Sequence, residues 1–341
     1  MNRRDLLIRL GAVGATVGAA WWFRDNVLWR RPDVTLPPQP EWLSFAEDNA
    51  SVPTVDVTLG GGPVRALIDS GAQYSVIDRA LLTRLGTART FDMPILAYGV
   101  GGQAQVGKGV TLDLAIGAAR IVKLRTAILD LGPLASEDGL GTPLILGQDV
   151  LGELMLHLDP ERRRMRFLPR GVEVPADLRP VDVRRAGGAL KTTVTVEGAT
   201  VEAVIDTGSS ALLALSRSAA GATGLLDGRE QRRGSSIVLG GAMASTLVQA
   251  RTMTFADQLY EKAEAAVYDD VPVPGFPDAL IGMEAFAGRR AVLDLGGGQL
   301  WASRALDLTI GPYTPISARR ASGVTPEARS SARVTDLSRL A

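Results

Sequence analysis

"ALIDSGAQYSVID" (residues 66–78) reads as an apolar strand that runs into a carboxylate, Asp69, followed at once by a hydroxyl, Ser70, and a glycine, Gly71. Alone, such a triplet is a turn, because Asp and Ser bond their own backbone and glycine takes conformations closed to other residues. The chain writes the arrangement twice, however. "AVIDTGSSALLALS" (residues 203–216) again ends a strand in Asp206, Thr207 and Gly208.

The surroundings repeat as well. "TVDVTLGGGPVRALID" and "KTTVTVEGATVEAVID" each place two strands about a Gly turn before the aspartate. Each half later carries an apolar strand closed by glycine, "LILG" at 144–147 and "LIG" at 280–282. The offsets agree: 206 − 69 = 137 for the aspartates, 282 − 147 = 135 for Gly147 and Gly282, and 294 − 159 = 135 for Asp159 and Asp294. Differences of this size are loop insertions. The unit is far longer than a solenoid repeat and occurs twice, so it is a duplicated domain. Strands joined by Gly turns dominate, with short helices after the aspartate strand and the Gly loop. One helix, "RALLTRL", starts at a capping Asp78.

Composition narrows the chemistry. The 341-residue chain contains no cysteine and one histidine, His157, which excludes thiolate and His-rich metal sites and cysteine nucleophiles. No metal site or cofactor is expected. No P-loop pattern occurs, and the formal net charge of zero gives no electrostatic case for nucleic acid. Carboxylates, hydroxyls and backbone are left to do the work.

On "IDSG", "IDTG", "LILG" and "LIG", the chain resembles the aspartic proteases, specifically the retropepsin-like group of bacteria, over about residues 51–305. The resemblance implies a mainly all-β, bilobal fold in which two retropepsin-like β-barrel halves face each other about a pseudo-twofold axis. Both halves lie in one chain, so no oligomer is needed to complete the site. It implies Asp69 and Asp206 as the catalytic pair of an aspartic endopeptidase, sharing one proton because two close carboxylates do not both ionise. Ser70 and Thr207 would bond across the axis. Gly71 and Gly208 would let backbone approach the carboxylates, and Gly147 and Gly282 would leave room for the loops beneath. The substrate class implied is polypeptide, bound extended. The alternative is the same fold with unused aspartates, acting as an exported peptide-binding or scaffolding protein.

The glycine-rich "YGVGGQAQVGKG" is similar in character to the flap hairpin of that family, and "SIVLGGAMAS" matches it in the second half. Tyr98, Gly99, Gly101, Gly102, Gly240 and Gly241 are therefore the expected flap residues. The charge run "ERRRMRF" (161–167) reads as a solvated turn, and the Asp149 and Glu284 positions as exposed helix starts.

The division expected is 1–31 as export signal or N-terminal membrane anchor, 32–50 as linker, 51–172 and 173–310 as the two lobes, and 311–341 as a flexible tail. The paired Arg3 and Arg4 before a Gly/Ala-rich apolar stretch resemble a twin-arginine signal. That resemblance implies export, to the periplasm or the extracytoplasmic face of the membrane. Trp21, Trp22 and Trp29 beside arginines offer the alternative of an uncleaved anchor at the membrane interface.

Overall fold

The computed structural model describes residues 29–47, 50–86, 90–98, 104–238, 241–270 and 277–304. The expected signal up to residue 28 and the 311–341 tail lie outside them, as do Gly99, Gly101, Gly102 and Gly240.

The alternating sequence 54–68 forms an antiparallel hairpin, Thr54–Leu59 with Gly62–Ile68, whose Val55, Val57, Val64 and Ala66 turn inward. Gly62–Ile68 also pairs in parallel with Leu144–Leu146, which pairs with Val76–Asp78. Strands Ala119–Leu129 and Ala104–Ile116 close the ring back onto Thr54–Leu59. The result is a barrel of six strands, and closure removes the unpaired edges of an open sheet.

The second half builds the same ring in the same order. Ala189–Val196, Ala199–Ile205, Ala279–Ile281, Leu213–Ser216, Gln258–Tyr268 and Gly241–Phe255 pair successively, and the last closes on the first. Each barrel extends one further hairpin strand, Thr90–Tyr98 in the first and Gln231–Val238 in the second. The helices match too. Asp78 Oδ1 accepts the Ala80 amide at 2.8 Å to cap Arg79–Arg84, and Ser216 Oγ accepts the Ala219 amide at 3.1 Å to cap Arg217–Ala222.

A third sheet joins the halves. Met155–Asp159 and Arg164–Leu168 end the first half, and Ala291–Asp294 and Gln299–Ala302 end the second. Met155–Asp159 lies antiparallel to Ala291–Asp294, with His157 opposite Val292. Two like strands paired antiparallel are related by a local twofold, so the axis passes through this pair.

Two expectations need correction here. The stretch 32–50 is no loose linker: Asp33–Thr35 adds a strand to Ala119–Leu129, Leu43–Ser44 adds one to Arg164–Leu168, and Phe45 is buried. The run 161–167 is only partly a solvated turn. Arg162 and Arg164 pair with buried Asp159, and Arg163 donates to the carbonyls of Ala50 and Glu47. Arg164 and Arg166 lie over the Trp42 ring, at 4.3 and 4.5 Å from its centroid. Composition reads charge as solvated; tertiary contact gave these guanidinium groups partners.

Candidate active site

Asp69 and Asp206 sit at equivalent places, one residue beyond strands Gly62–Ile68 and Ala199–Ile205. Each strand runs parallel to a short apolar neighbour, and the aspartate amides donate to Leu146 and Ile281 carbonyls at 3.0 and 2.8 Å. This register sets each aspartate beside the glycine that ends the neighbouring strand, Gly147 or Gly282.

The two carboxyls meet in direct hydrogen-bond contact. Asp69 Oδ1 accepts the amides of Gly71 and Ala72 at 2.8 and 3.0 Å, and Asp206 Oδ1 accepts that of Gly208 at 2.9 Å. Burial raises both carboxyls above the usual range. Asp206 is pushed well above it because the Asp69 charge and the hydrogen bond between them add to burial. For Asp69 the bond from Asp206 and the amides of Ala72 and Gly71 oppose the rise. Both carboxyls are thus held above the usual carboxylate range, Asp206 the further of the two, as expected where two buried carboxyls meet.

Beneath it, four hydrogen bonds cross between the halves. The Ser70 amide donates to Thr207 Oγ1 at 2.9 Å, and the Thr207 amide donates to Ser70 Oγ at 3.0 Å. Ser70 Oγ donates to the Ile205 carbonyl at 2.8 Å, and Thr207 Oγ1 to the Ile68 carbonyl at 2.7 Å. Ser70 and Thr207 are both buried, so each hydroxyl satisfies backbone groups that water does not reach.

The glycines are required by close approach. A Cβ on Gly71 would lie 2.7 Å from the Asp206 Cγ, and one on Gly208 2.5 Å from the Asp69 Cγ. Each glycine thus faces the opposite half's carboxyl. A Cβ on Gly147 would meet the Ala72 carbonyl oxygen at 2.6 Å, and one on Gly282 the carbonyl oxygens of Ala211 and Ser209.

Around Gly147 the structure brings into the site residues that the sequence did not place there. Asp149 is buried, not an exposed helix start: it accepts the Ser75 amide and hydroxyl, the Val150 amide and the Trp29 indole N–H. Gln148 Nε2 donates to the Ser70 carbonyl at 2.8 Å. Glu284, at the matching place in the second half, is held up to about 7 by burial and then by the Glu264 charge. The recurrence of an acid two residues after Gly147 and Gly282 was the available signal for a shared role. Trp29 is buried against Tyr74, centroids 4.0 Å apart.

Of the expected flap residues, Tyr98 pairs through its backbone with Ala104, and Gly241 with Val238, at the described ends of the two hairpins. Among the described residues, no three His, Asp or Glu side chains gather as a metal site, and no helix is long and apolar enough to cross a membrane.

An aspartyl protease profile matches residues 55–150 and again 192–285, once in each half. The chain belongs to the aspartyl protease family. The doubled match follows the two barrels, so this family member carries two fused halves, each matching the family's unit. Among solved structures it is similar to an aspartic proteinase from Irpex lacteus, at 12% identity over 80% of this chain and 99% of that one, TM-score 0.50. It is also similar to a retropepsin-like aspartic protease from Rickettsia conorii, at 18% identity over 37% and 90%, TM-score 0.28. Basic 7S globulin from soybean matches at 12% identity over 78% and 95%, TM-score 0.44. At these identities the Irpex lacteus likeness supports the fold alone. No curated protein sequence matches the chain.

Proposed function

We propose that the protein is an aspartic endopeptidase that hydrolyses peptide bonds with water activated between Asp69 and Asp206. The observation that carries this reading is the contact between two buried carboxyls whose proton affinities are driven apart. Ionised Asp69 takes a proton from the water as its oxygen attacks the scissile carbonyl carbon, and Asp206 gives its proton to the carbonyl oxygen. The tetrahedral diol collapses as Asp69 passes the proton it took to the amide nitrogen and the C–N bond breaks, while one diol hydroxyl gives its proton to Asp206, restoring the dyad. Ser70 and Thr207 hold the two loops in register through the whole cycle. The glycines at 71 and 208 keep backbone close to each carboxyl.

The substrate is polypeptide, extended between the hairpins that carry Tyr98, Gly99, Gly101 and Gly102 on one side and Gly240 and Gly241 on the other. In this reading residues 51–172 and 173–310 act as the two lobes, and the twin-arginine-like start sends the protein to the periplasm.

The test is incubation of the chain, and of Asp69→Asn and Asp206→Asn, with a diverse peptide mixture across pH. Cleavage by the parent and a loss of at least ~10³-fold in each variant are expected, since each residue acts as part of one unit. Full activity in either variant, with the fold intact, rules the mechanism out.

A further inference from the structure

We propose that Trp29 is a positioning residue for the dyad, acting through Asp149 and Ser75; the inference rests on the peptidase reading of the same site. The indole N–H of Trp29 donates to Asp149 Oδ2 at 3.3 Å, across 120 residues of sequence. Asp149 in turn takes the Ser75 hydroxyl at 2.7 Å and the Ser75 amide at 3.0 Å. Ser75 Oγ then accepts the Gly147 amide at 3.1 Å. One buried carboxylate so ties the far end of the Asp69 loop to the glycine strand at its near end.

The loop between has little freedom left. The Gln148 amide donates to the Ala72 carbonyl at 2.9 Å, and the Ala72 amide donates to Asp69 Oδ1. Tyr74 packs on the Trp29 ring. Any slackening at Ser75 or Gly147 is therefore passed to the amides of Gly71 and Ala72, which favour the ionised form of Asp69.

The second half is built more simply. Glu284 accepts the amide of Leu212, which stands where Ser75 stands in the first (212 − 75 = 137). A leucine has no hydroxyl to offer. The extra donors, Ser75 and Trp29, belong to the half whose aspartate must stay charged.

The residues after Trp29 are held as well. Arg31 pairs with Glu153 at 2.8 Å, and Asp33–Thr35 then lies on the barrel as a strand.

The test is Trp29→Phe in the full chain, which keeps an aromatic ring on Tyr74 and deletes the indole donor. Expected are a five- to tenfold fall in kcat with KM within twofold, and an acid limb of the kcat/KM profile moved to higher pH. Loosened amides raise the affinity of Asp69 for a proton, whereas a merely structural loss would scale the profile without moving it. Amide exchange should rise at least threefold at Ser75 and Gly147 and stay unchanged in the joining sheet. In Asp149→Asn, which removes the charge that the indole serves, adding Trp29→Phe should change kcat less than twofold.

An unmoved pH profile together with unchanged exchange overturns the proposal. If the parent chain cleaves nothing, the peptidase reading fails on its own, and the exchange at Ser75 and Gly147 decides the role of Trp29. Exchange in Trp29→Phe equal to that of the parent then sinks it.

Discussion

Replacing Thr207 by Val removes a hydroxyl and keeps the side-chain shape, so it isolates the bonds that cross the axis. Thr207 is fully buried, donates to the Ile68 carbonyl at 2.7 Å and accepts the Ser70 amide at 2.9 Å. The substitution strands one backbone acceptor and one backbone donor away from water. Each buried group left without its partner costs about 1–3 kcal/mol, for a combined loss of about 2–6 kcal/mol. Against a total stability of about 5–15 kcal/mol, this is a large fraction. For a chain of this size it lowers the thermal midpoint by roughly 10 °C. Thermal and urea unfolding followed by circular dichroism would measure it, with Thr207→Ser as control because serine restores both bonds, as Ser70 does in the other half. A Thr207→Val midpoint equal to that of the serine control would refute the claim that these hydroxyls satisfy buried backbone.

Gly208→Ala should cut peptidase kcat by about 100-fold or more, because its Cβ, 2.5 Å from the Asp69 Cγ, forces the carboxyl to move by about 1 Å; undiminished turnover with the fold retained would contradict the close approach. The kcat/KM profile should fall on both limbs, in acid as Asp69 gains a proton and towards alkali as Asp206 loses one, with the second limb well above the ordinary carboxylate range because burial and the Asp69 charge raise Asp206. A profile in which the alkaline limb sits at an ordinary carboxylate pKa would count against the shared proton. His157, held down to about 4 by burial, is neutral in the fold, and its Nδ1 accepts Arg166 Nε at 3.2 Å. Below the unfolded value of about 6.5 the unfolded chain takes a proton that the folded one refuses, so stability falls as pH drops from there to about 4 and then levels, by at most about 3 kcal/mol. Urea midpoints of the parent and His157→Gln across that range would test it; identical slopes would show that another group is responsible.

The amino-acid sequence by itself determined the duplicated plan and the residues at its centre. Strand, aspartate, hydroxyl and glycine are a local pattern, and writing it twice marked Asp69 and Asp206 before any contact was known. The barrel strands were legible for the same reason, since alternation along 54–68 and 189–205 needs only near neighbours. What the sequence left open was decided by contacts between residues far apart. Asp149 looked like an exposed helix start until Trp29 and Ser75, 120 and 74 positions away, were seen to surround it. The arginines of 161–167 looked solvated until Trp42, Asp159 and the carbonyls of Glu47 and Ala50 filled their donors. Residues 32–50 carried no periodicity because two- and three-residue strands are too short to show one; the edges they pair with gave them their form. The raised proton affinity of the two aspartates is tertiary as well. Its energy comes from bringing two carboxyls out of water and against each other, and no stretch of chain contains both.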